Sequence, residues 1–365
     1  MREVELKAYG KINLSLDVVG RRPDGYHSLD TVMQSVSLCD RIRLRRTGTP
    51  GIRLAVDRPG IPVGEKNIAY RAARLFFRWL SKKLAAEAEA GAKTGVEIGW
   101  ETGARSNGEE AFKIGQTLHA FSGVEEETGE KTGIEISIEK RIPSGAGMGG
   151  GSADAAAVLA GLDLLFLGGS GGLLEELPPE ERLDRSRVLR ELGAQLGADV
   201  PFCMVGGSCR CRGIGEQLEV VARLPSCLLL LCKPPVSVRT PEAYQRLDRM
   251  LDLLETNGSA GAGAQSEERG GKTPILCAAL ARGALGLVAE NLDNPFEKAM
   301  DLPEIRNIRG QMLAGGALNA QMPGSGSLVY GIFREEETAV SCGRALERMG
   351  DVHLAYPVNR GVQRI

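Results

Sequence analysis

The chain has 365 residues, with 45 Lys and Arg against 47 Asp and Glu, and 42% of its residues are apolar. At about 150 residues per domain, this length predicts two domains. The balanced charge argues against a nucleic-acid binder, which needs a basic face. The densest apolar run, Cys227 to Cys232, is much shorter than the about 20 residues that cross a bilayer, so we expect no membrane span.

Eight cysteines are spread over the whole chain, and no signal-type apolar stretch opens it. Disulfide scaffolds are short and dense in cysteine, so we expect reduced thiols and a cytoplasmic location. Cys203, Cys209 and Cys211 form the only cluster in the sequence, and no fourth ligand stands at a zinc-site spacing. We therefore expect buried thiols there and no zinc.

The N-terminal part of the chain predicts strands, a turn and one helix. Residues 3–19 alternate in polarity, as a strand does, and the residues 22–25 (Arg-Pro-Asp-Gly) have turn chemistry. A second apolar stretch covers residues 29–38. Apolar residues at helical spacing predict an amphipathic helix over 67–83.

The next segments alternate between regular elements and loops. Residues 84–131 show little periodicity, which predicts an insertion, and 168–184 and 257–272 predict long loops. The composition changes near 222–227, which predicts domains 1–222 and 223–365. Further strands and helices are predicted at 134–142 (strand), 153–167 and 188–196 (helices), 208–221, 228–231 and 328–333 (strands), and 335–349 (helix). This mixture without strict βαβ repetition predicts the α+β class.

A glycine-rich run lies between the strand 134–142 and the helix 153–167. Glycines permit positive φ and close approach to a ligand, and successive N–H groups before a helix form an anion cradle. We expect this loop to bind phosphate. The residues assigned to it are Pro143, Gly145, Gly147, Met148, Gly149, Gly150, Gly151, Ser152 and Asp154.

The loop does not match every known phosphate-binding pattern. A Walker A loop has Lys after its last Gly, where this chain has Ser152 and Ala153. Protein-kinase loops precede a strand, whereas this loop precedes a helix. The glycines do satisfy G-x-G-x-x-G, which leaves a dinucleotide-binding oxidoreductase open as an alternative. That alternative requires an acidic residue about 20 positions on, where the chain has a Gly/Ser loop.

Three further motifs carry polar groups in unusual places. Lys11 and Asn13 are two residues apart in a strand, so they point to the same face. Asp199 stands between a Gly and a Pro just after a helix. A second Gly/Ser loop, residues 321–327, contains Pro323.

These motifs together resemble the GHMP kinase superfamily. Within it, residues 20–27 after Lys-Ile-Asn, Leu-Gly-Ala-Asp-Val-Pro-Phe at 196–202, and residues 140–156 resemble the family of 4-diphosphocytidyl-2-C-methyl-D-erythritol kinases. The resemblance covers residues 6–83, 132–245 and about 290–335. It implies a two-domain α+β fold with the active site in the cleft between the domains. It also implies ATP-dependent phosphorylation of that substrate's 2-hydroxyl, in non-mevalonate isoprenoid synthesis.

The resemblance further implies roles for individual residues. Lys11 would stabilise charge on the transferred phosphoryl group and Asp199 would act as general base. Ser152 would reach Mg²⁺ on the ATP phosphates, and Asn67 would contact adenine. The residues implied for the cytidine diphosphate end of the substrate are Asn13, Tyr26, His27, Thr240 and Tyr244, with Tyr26 and Tyr244 clamping the cytosine.

Each of these roles has a structural alternative. Lys11 could reach water from an edge strand, Asp199 could cap a helix, and Tyr244 could belong to the core. Pro323 departs from the small residue usual in the family and lacks an N–H donor. A kinase of the homoserine or mevalonate type is the alternative within the superfamily. We expect a small-molecule substrate and a monomer or weak homodimer.

Overall fold

The computed structural model describes residues 1–94, 133–168, 186–256 and 271–365, together with residues 178, 181 and 183. Within these ranges, no helix combines the length and the apolar character that crossing a membrane requires. Most of the predicted loops 168–184 and 257–272, and residues 95–131 of the predicted insertion 84–131, lie outside the described residues.

The described strands form two sheets. The first sheet has the order β11-β1-β2-β4-β3, with β5 pairing β2 and β6; the second has the order β10-β7-β9-β8. Only β3 and β4 pair in parallel, and all other pairs are antiparallel. The strands are β1 (Glu3–Arg21), β2 (His27–Thr47), β3 (Gly51–Val56), β4 (Gly133–Glu139), β5 (Ser208–Gly213), β6 (Gln217–Val220), β7 (Leu228–Lys233), β8 (Asn319–Gln321), β9 (Val329–Phe333), β10 (Asp351–Ala355) and β11 (Val362–Arg364).

This topology bears out the α+β class and does not support the oxidoreductase alternative, because a dinucleotide-binding fold is built on a mostly parallel sheet. The described helices are α1 (Ile68–Thr94), α2 (Gly150–Phe166), α3 (Arg187–Ala194), α4 (Val200–Val205), α5 (Thr240–Thr256), α6 (Lys272–Ala281), α7 (Leu285–Glu290), α8 (Pro295–Met300), α9 (Pro303–Ala314) and α10 (Glu336–Leu346).

Helices α1 and α2 cover one face of the first sheet. The apolar stripe of α1 packs there, with Phe76 and Leu80 fully buried and Leu75 and Trp79 partly buried. Helix α2 is buried along most of its length. Its many alanines have small side chains, so the helix packs close to the strands. A Cβ on Gly161 of α2 would lie 2.1 Å from a methyl carbon of Leu44 in β2. This close approach sets α2 directly against β2.

A second core lies between the second sheet and helices α5, α8, α9 and α10. Leu16 and Leu29, from the hairpin of β1 and β2, also belong to this core. The hairpin therefore contacts both halves of the molecule, and it forms one wall of the space between them.

Several predicted boundaries differ from the structure. Helix α1 continues to Thr94 instead of ending at residue 83, because the Ala, Glu and Lys that follow are strong helix formers. Strand β2 runs to Thr47, well beyond the predicted residue 38. The segment 208–221 is a hairpin of two strands, since Gly213 and Gly215 take positive φ and turn the chain.

The predicted domain boundary coincides with the passage from one sheet to the other. Strand β6 of the first sheet ends at Val220 and β7 of the second begins at Leu228. The C-terminal strand β11 then returns to pair with β1. The division into domains 1–222 and 223–365 stays a prediction.

Candidate active site

A cleft of about 930 Å³ lies between the first sheet with its glycine-rich loop and helix α5. All the site residues that the sequence predicts line this one cleft. They are Lys11, Asn13, Tyr26, His27, Asn67, Pro143, Gly145, Gly147, Met148, Gly149, Gly150, Gly151, Ser152, Asp154, Asp199, Thr240 and Tyr244.

Lys11 and Asn13 share one face of β1, as their spacing predicts. The Lys11 ammonium donates to Oδ1 of Asn13 at 2.8 Å, and the Asn13 amide donates to the hydroxyl of Thr31 at 2.8 Å. Lys11 is only 5% exposed. Its ammonium therefore does not reach out to water from a strand edge, and the chain of hydrogen bonds fixes its position in the cleft.

Asp199 faces Lys11 from the opposite side. Its Oδ2 lies 3.4 Å from Nζ of Lys11, and its side chain is partly exposed to the cleft. Asp199 occupies the N-cap position of α4, but its side chain makes no capping hydrogen bond there. The carboxylate is thus available to a ligand.

The glycine-rich loop follows β4 and leads into α2. Gly145, Gly147 and Gly149 all have positive φ, between 64° and 76°. The carbonyl of Met148 accepts a hydrogen bond from the backbone N–H of Lys11 at 2.9 Å, which ties the loop to β1. A Cβ on Gly149 would lie 3.2 Å from Cγ of Lys11 and 3.5 Å from a carboxylate oxygen of Asp199. The loop backbone therefore passes directly beside the Lys11–Asp199 pair.

The second Gly/Ser loop packs against the first. A Cβ on Gly147 would lie 2.3 Å from the carbonyl oxygen of Pro323, and the N–H of Ser327 donates to the carbonyl of Gly145 at 3.2 Å. Pro323 thus approaches the phosphate loop through its carbonyl group. These contacts use no N–H group at position 323, so the N–H that proline lacks is not needed for them.

Asn294 holds the second loop in place, although sequence analysis did not single it out. Its amide group donates to the carbonyls of Met322 and Gly324 at 2.6 and 2.7 Å, and its oxygen accepts from the N–H of Phe296. Asn294 is 3% exposed. An Asn followed by Pro295 at a helix start is an N-cap pattern, which was the available signal.

A buried cluster of charged side chains lies next to the glycine-rich loop. Lys140 is hydrogen-bonded to Asp40 and donates to Asp154 at 2.7 Å, and Asp40 also accepts from the N–H groups of Arg141 and Ile142. Burial opposes the charge on Lys140, yet the two carboxylates outweigh it and raise its pKa. Burial, aided by Asp40, raises the pKa of Asp154 well above its usual range. The sequence indicated Asp154 but not Asp40 or Lys140.

Asn67 is tied into the start of α1. Its amide donates to the carbonyl of Pro62 at 2.7 Å and its oxygen accepts from the N–H of Ala69 at 2.8 Å. Both ends of the side chain therefore already have protein partners. A contact between Asn67 and adenine stays a prediction.

Aromatic groups line the other end of the cleft. Tyr26 is 60% exposed in the turn between β1 and β2. The ring of His27 stacks on that of Tyr244, with centroids 4.7 Å apart, and Tyr244 also packs edge-on with Phe296. Burial raises the pKa of Tyr244 to about 12. Tyr244 thus belongs partly to the second core and also lines the cleft. The hydroxyl of Thr240 lies 3.1 Å from that of Ser325.

The cysteine cluster lies in the core. Cys203, Cys209 and Cys211 are buried and form no disulfide, and burial raises the pKa of Cys203 above its usual range. Across the described segments, no three His, Cys, Asp or Glu side chains come together in a way that could hold a metal ion. This agrees with the expectation of buried thiols.

Comparisons with known proteins identify the family and the fold of this chain. A model of the N-terminal domain of GHMP kinases matches residues 116–207, and one of their C-terminal domain matches residues 277–352. A 4-diphosphocytidyl-2-C-methyl-D-erythritol kinase of Lachnospira eligens is 32% identical, with 98% of each chain covered. One of Geobacter sulfurreducens is 36% identical over 96% of this chain and 95% of the relative.

Solved structures show the same fold. A crystal structure of a 4-(cytidine 5'-diphospho)-2C-methyl-D-erythritol kinase has a TM-score of 0.62 at 28% identity and covers 97% of this chain and 98% of that chain. The mevalonate kinase of L. major, at 14% identity and a TM-score of 0.63 over 97% of this chain and 95% of that chain, shares the fold alone.

The two-sheet fold with a glycine-rich loop above a Lys–Asp pair, taken with these matches, defines the class as GHMP kinases, which use ATP as phosphate donor. Within that class, the chain belongs to the 4-diphosphocytidyl-2-C-methyl-D-erythritol kinase family.

Proposed function

We propose that this protein transfers the γ-phosphoryl group of ATP to the 2-hydroxyl of 4-diphosphocytidyl-2-C-methyl-D-erythritol, giving the 2-phosphate and ADP. The observation that carries this proposal is the position of Lys11 and Asp199, 3.4 Å apart beside Gly149 of the glycine-rich loop. Family membership supports the identity of the acceptor.

Asp199 is the general base in this proposal. It accepts the proton of the substrate hydroxyl as the oxygen bonds to the γ-phosphorus and the bond to the ADP oxygen breaks. A carboxylate without a capping hydrogen bond, open to the cleft, suits that role. Positioned general bases contribute about 10²–10⁴-fold to rates.

Lys11 stabilises the negative charge of the transferred group. Its ammonium is held by Asn13 and Asp199, so its position is set before the substrate binds. A preorganised cation in a site with little water stabilises developing charge more strongly than a solvated one does. The Lys11 side chain is buried, and Asn13 and Asp199 hold its ammonium group next to the glycine-rich loop.

The glycine-rich loop holds the ATP phosphates through its backbone N–H groups and the start of α2. Mg²⁺ fits beside it, because Oδ1 of Asp154 is buried without a hydrogen-bond partner among the described residues, and Ser152 lines the same part of the cleft. These two residues would hold the ion, which neutralises phosphate charge when bound. The phosphates themselves would supply its other ligands.

The far end of the cleft holds the cytidine diphosphate part of the substrate. Tyr26, His27, Thr240 and Tyr244 line the cleft together with Asn13, which lies beside Lys11. Tyr26 offers an exposed aromatic face on which a base stacks, whereas His27 covers one face of Tyr244. The small-molecule acceptor would thus lie between the aromatic end and the Lys11–Asp199 pair.

The test is ADP release from ATP and Mg²⁺ with three acceptors: the cytidylated substrate, mevalonate and homoserine. We expect release with the cytidylated acceptor alone. Release with mevalonate or homoserine instead would keep phosphoryl transfer but remove the base-binding roles. No release with any acceptor would overturn the proposal.

A further inference from the structure

The pairing of β1 with β2 is interrupted immediately before Lys11. Tyr9 pairs with Cys39, whereas Lys11 pairs with Ser35, so residues 36–38 of β2 have only Gly10 opposite them. An irregularity of this kind leaves backbone groups without partners in the strand ladder. The strand that carries Lys11 therefore depends at this point on partners from elsewhere in the fold.

The segment 356–365 supplies the missing partners of β2. The carbonyl of Tyr356 accepts a hydrogen bond from the N–H of Ser37 at 2.9 Å. The N–H of Val358 donates to the carbonyl of Ser35, also at 2.9 Å. The segment 356–365 thus takes the place of β1 along the interrupted stretch of β2.

Gly361 of the same segment contacts β1 and α4 at once. Its carbonyl accepts from the N–H of Tyr9 in β1 at 2.9 Å. A Cβ on Gly361 would lie only 1.9 Å from the carbonyl oxygen of Cys203 in α4. The φ of Gly361 is not positive, so glycine is required here for space and not for its backbone conformation. The backbone at Gly361 is therefore a spacer between β1 and α4.

The Lys11–Asp199 pair lies on the two elements that this spacer separates. Lys11 follows Tyr9 by two residues in β1. Asp199 is the N-cap of α4, and its carbonyl accepts from the N–H of Cys203 at 3.0 Å. Because Cys203 and Asp199 belong to one helical turn, a shift of Cys203 away from β1 carries Asp199 with it. The 3.4 Å between Nζ of Lys11 and Oδ2 of Asp199 would then increase.

We infer that Gly361 is a positioning residue that sets the place of Asp199 relative to Lys11 by holding α4 at its distance from β1. Gly361 does not belong to the described lining of the cleft, so it acts through the residues that it holds. This inference rests on the proposed function and deepens it, since it names what fixes the general base. A misplacement of about 1 Å at a reacting group can cost about 100-fold in rate.

The test is the kcat of Gly361→Ala, measured by ADP release at saturating ATP and acceptor. We expect kcat to fall about 10- to 100-fold, while the KM values change by less than about twofold, because the cleft lining stays in place. The same substitution is then made in Asp199→Asn and followed by single-turnover kinetics. There we expect less than about a twofold further effect, because the displaced side chain no longer accepts the proton.

Gly350→Ala is the matched control. A Cβ on Gly350 would lie 2.2 Å from a backbone carbonyl oxygen, that of Lys233, and the φ of Gly350 is not positive either. The clash is similar, but it lies between β7 and β10 of the second sheet. We expect a comparable loss of stability in urea, with kcat within about twofold of the wild-type value.

A second variant decides the matter if Gly361→Ala does not fold. Val362→Ala removes two buried methyl groups of β11 next to Gly361 and introduces no clash. It loosens the spacer, so we expect kcat to fall by about threefold or more in the wild type and to stay unchanged in Asp199→Asn. An unchanged kcat in the otherwise wild-type protein would overturn the inference.

The outcomes separate the inference from the proposed function. All variants are assayed with the acceptor that the wild type phosphorylates, so the identity of that acceptor does not enter the comparison. An unchanged kcat in Gly361→Ala, an equal fall in both backgrounds, or an equal fall in Gly350→Ala would overturn the inference and leave the kinase proposal intact. A wild type that phosphorylates no acceptor would contradict the proposed function, and the positioning role with it.

Discussion

Gly147 lies so close to Pro323 that a Cβ on the glycine would be 2.3 Å from the proline's carbonyl oxygen. Gly147 belongs to the loop between β4 and α2, whereas Pro323 belongs to the loop between β8 and β9. The phosphate end of the cleft is therefore built by both halves of the chain in direct contact, and a methyl group at this point would separate them.

Gly147→Ala should accordingly disturb both stability and ATP use. The added carbon meets a backbone oxygen, and its φ of +76° is unfavourable for alanine. We expect a loss of about 1–3 kcal/mol in the free energy of unfolding. We also expect kcat/KM for ATP to fall about 100-fold, because the loop is displaced.

Urea unfolding and steady-state kinetics measure these effects. Gly151→Ala is the matched comparison, because Gly151 lies in α2 and its added Cβ would meet only a side-chain methyl of Ile68 at 3.3 Å. Equal losses of stability in the two variants would contradict the Gly147–Pro323 argument.

Lys11→Met and Asp199→Asn should each lower kcat by about 10²–10⁴-fold while ATP still binds. Methionine keeps the buried stem of Lys11, and asparagine keeps the shape of Asp199, so only the charge or the basic oxygen is lost. Single-turnover kinetics and calorimetric ATP binding measure the two properties. Asp301→Asn, at a carboxylate outside the cleft, is the control, and near-normal turnover in either site variant would remove these roles.

Asn294→Asp should loosen the second loop. The aspartate side chain keeps the acceptor for Phe296 but cannot donate to the carbonyls of Met322 and Gly324. We expect the free energy of unfolding to fall by about 1–3 kcal/mol or more, together with kcat/KM. Asn291→Asp also loses one hydrogen bond to a carbonyl, but at a more exposed position, and it should change stability by less than about 1 kcal/mol.

Lys140→Met should be one of the most destabilising single changes in the described part of the chain. It leaves two buried carboxylates, Asp40 and Asp154, without their shared cation. Breaking a buried ion cluster in this way costs about 3–5 kcal/mol. The neighbouring Arg141→Met removes an exposed pair with Glu139 and should cost less than about 1 kcal/mol in the same denaturation experiment.

Tyr244 should affect stability in alkaline solution. Burial raises its pKa in the folded protein to about 12, above the value of about 10 for an exposed phenol. The folded state therefore holds this proton more tightly than the unfolded state. The resulting stabilisation is complete below pH about 10 and is lost as the pH rises through about 12.

The Tyr244→Phe variant has no ionisable phenol at this position. Its free energy of unfolding should therefore fall less than that of the wild type as the pH rises from about 10 to about 12. Absorbance titration near 295 nm should show one fewer late-ionising phenol in this variant. If the difference between the wild-type and Tyr244→Phe titration curves has its midpoint near pH 10, the Tyr244 ring is solvated and does not pack against His27 and Phe296.

The main strands and helices and most of the site were predictable because their signals are local. Alternation gave β1, helical spacing gave most of α1, and a run of glycines before a helix gave the phosphate loop. Lys11 and Asn13 were placed on one face by the period of a strand alone. The end of α1 was missed because helix formers without an apolar stripe resemble a loop.

Asp40, Lys140 and Asp248 carried no comparable signal, and the N-cap pattern of Asn294 with Pro295 did not indicate its partners in the second loop. Each is an ordinary polar residue in its own segment, and each reaches a group that is distant in sequence. Lys140 and Asp40 meet because β4 pairs with β2, and Asp248 meets His27 because α5 packs against the hairpin. The local sequence around these positions does not indicate such partners.

The amino-acid sequence alone indicated an α+β fold and a phosphate loop, since backbone periodicity and turn chemistry are encoded over short stretches, and its resemblance to a kinase family implied the roles of Lys11 and Asp199. Tertiary structure was needed to show that Asp199 makes no capping bond, that Pro323 contributes its carbonyl, and that Asp248 hydrogen-bonds His27. These properties depend on which groups meet across the cleft, and hydrogen bonds and ion pairs act only within a few ångströms.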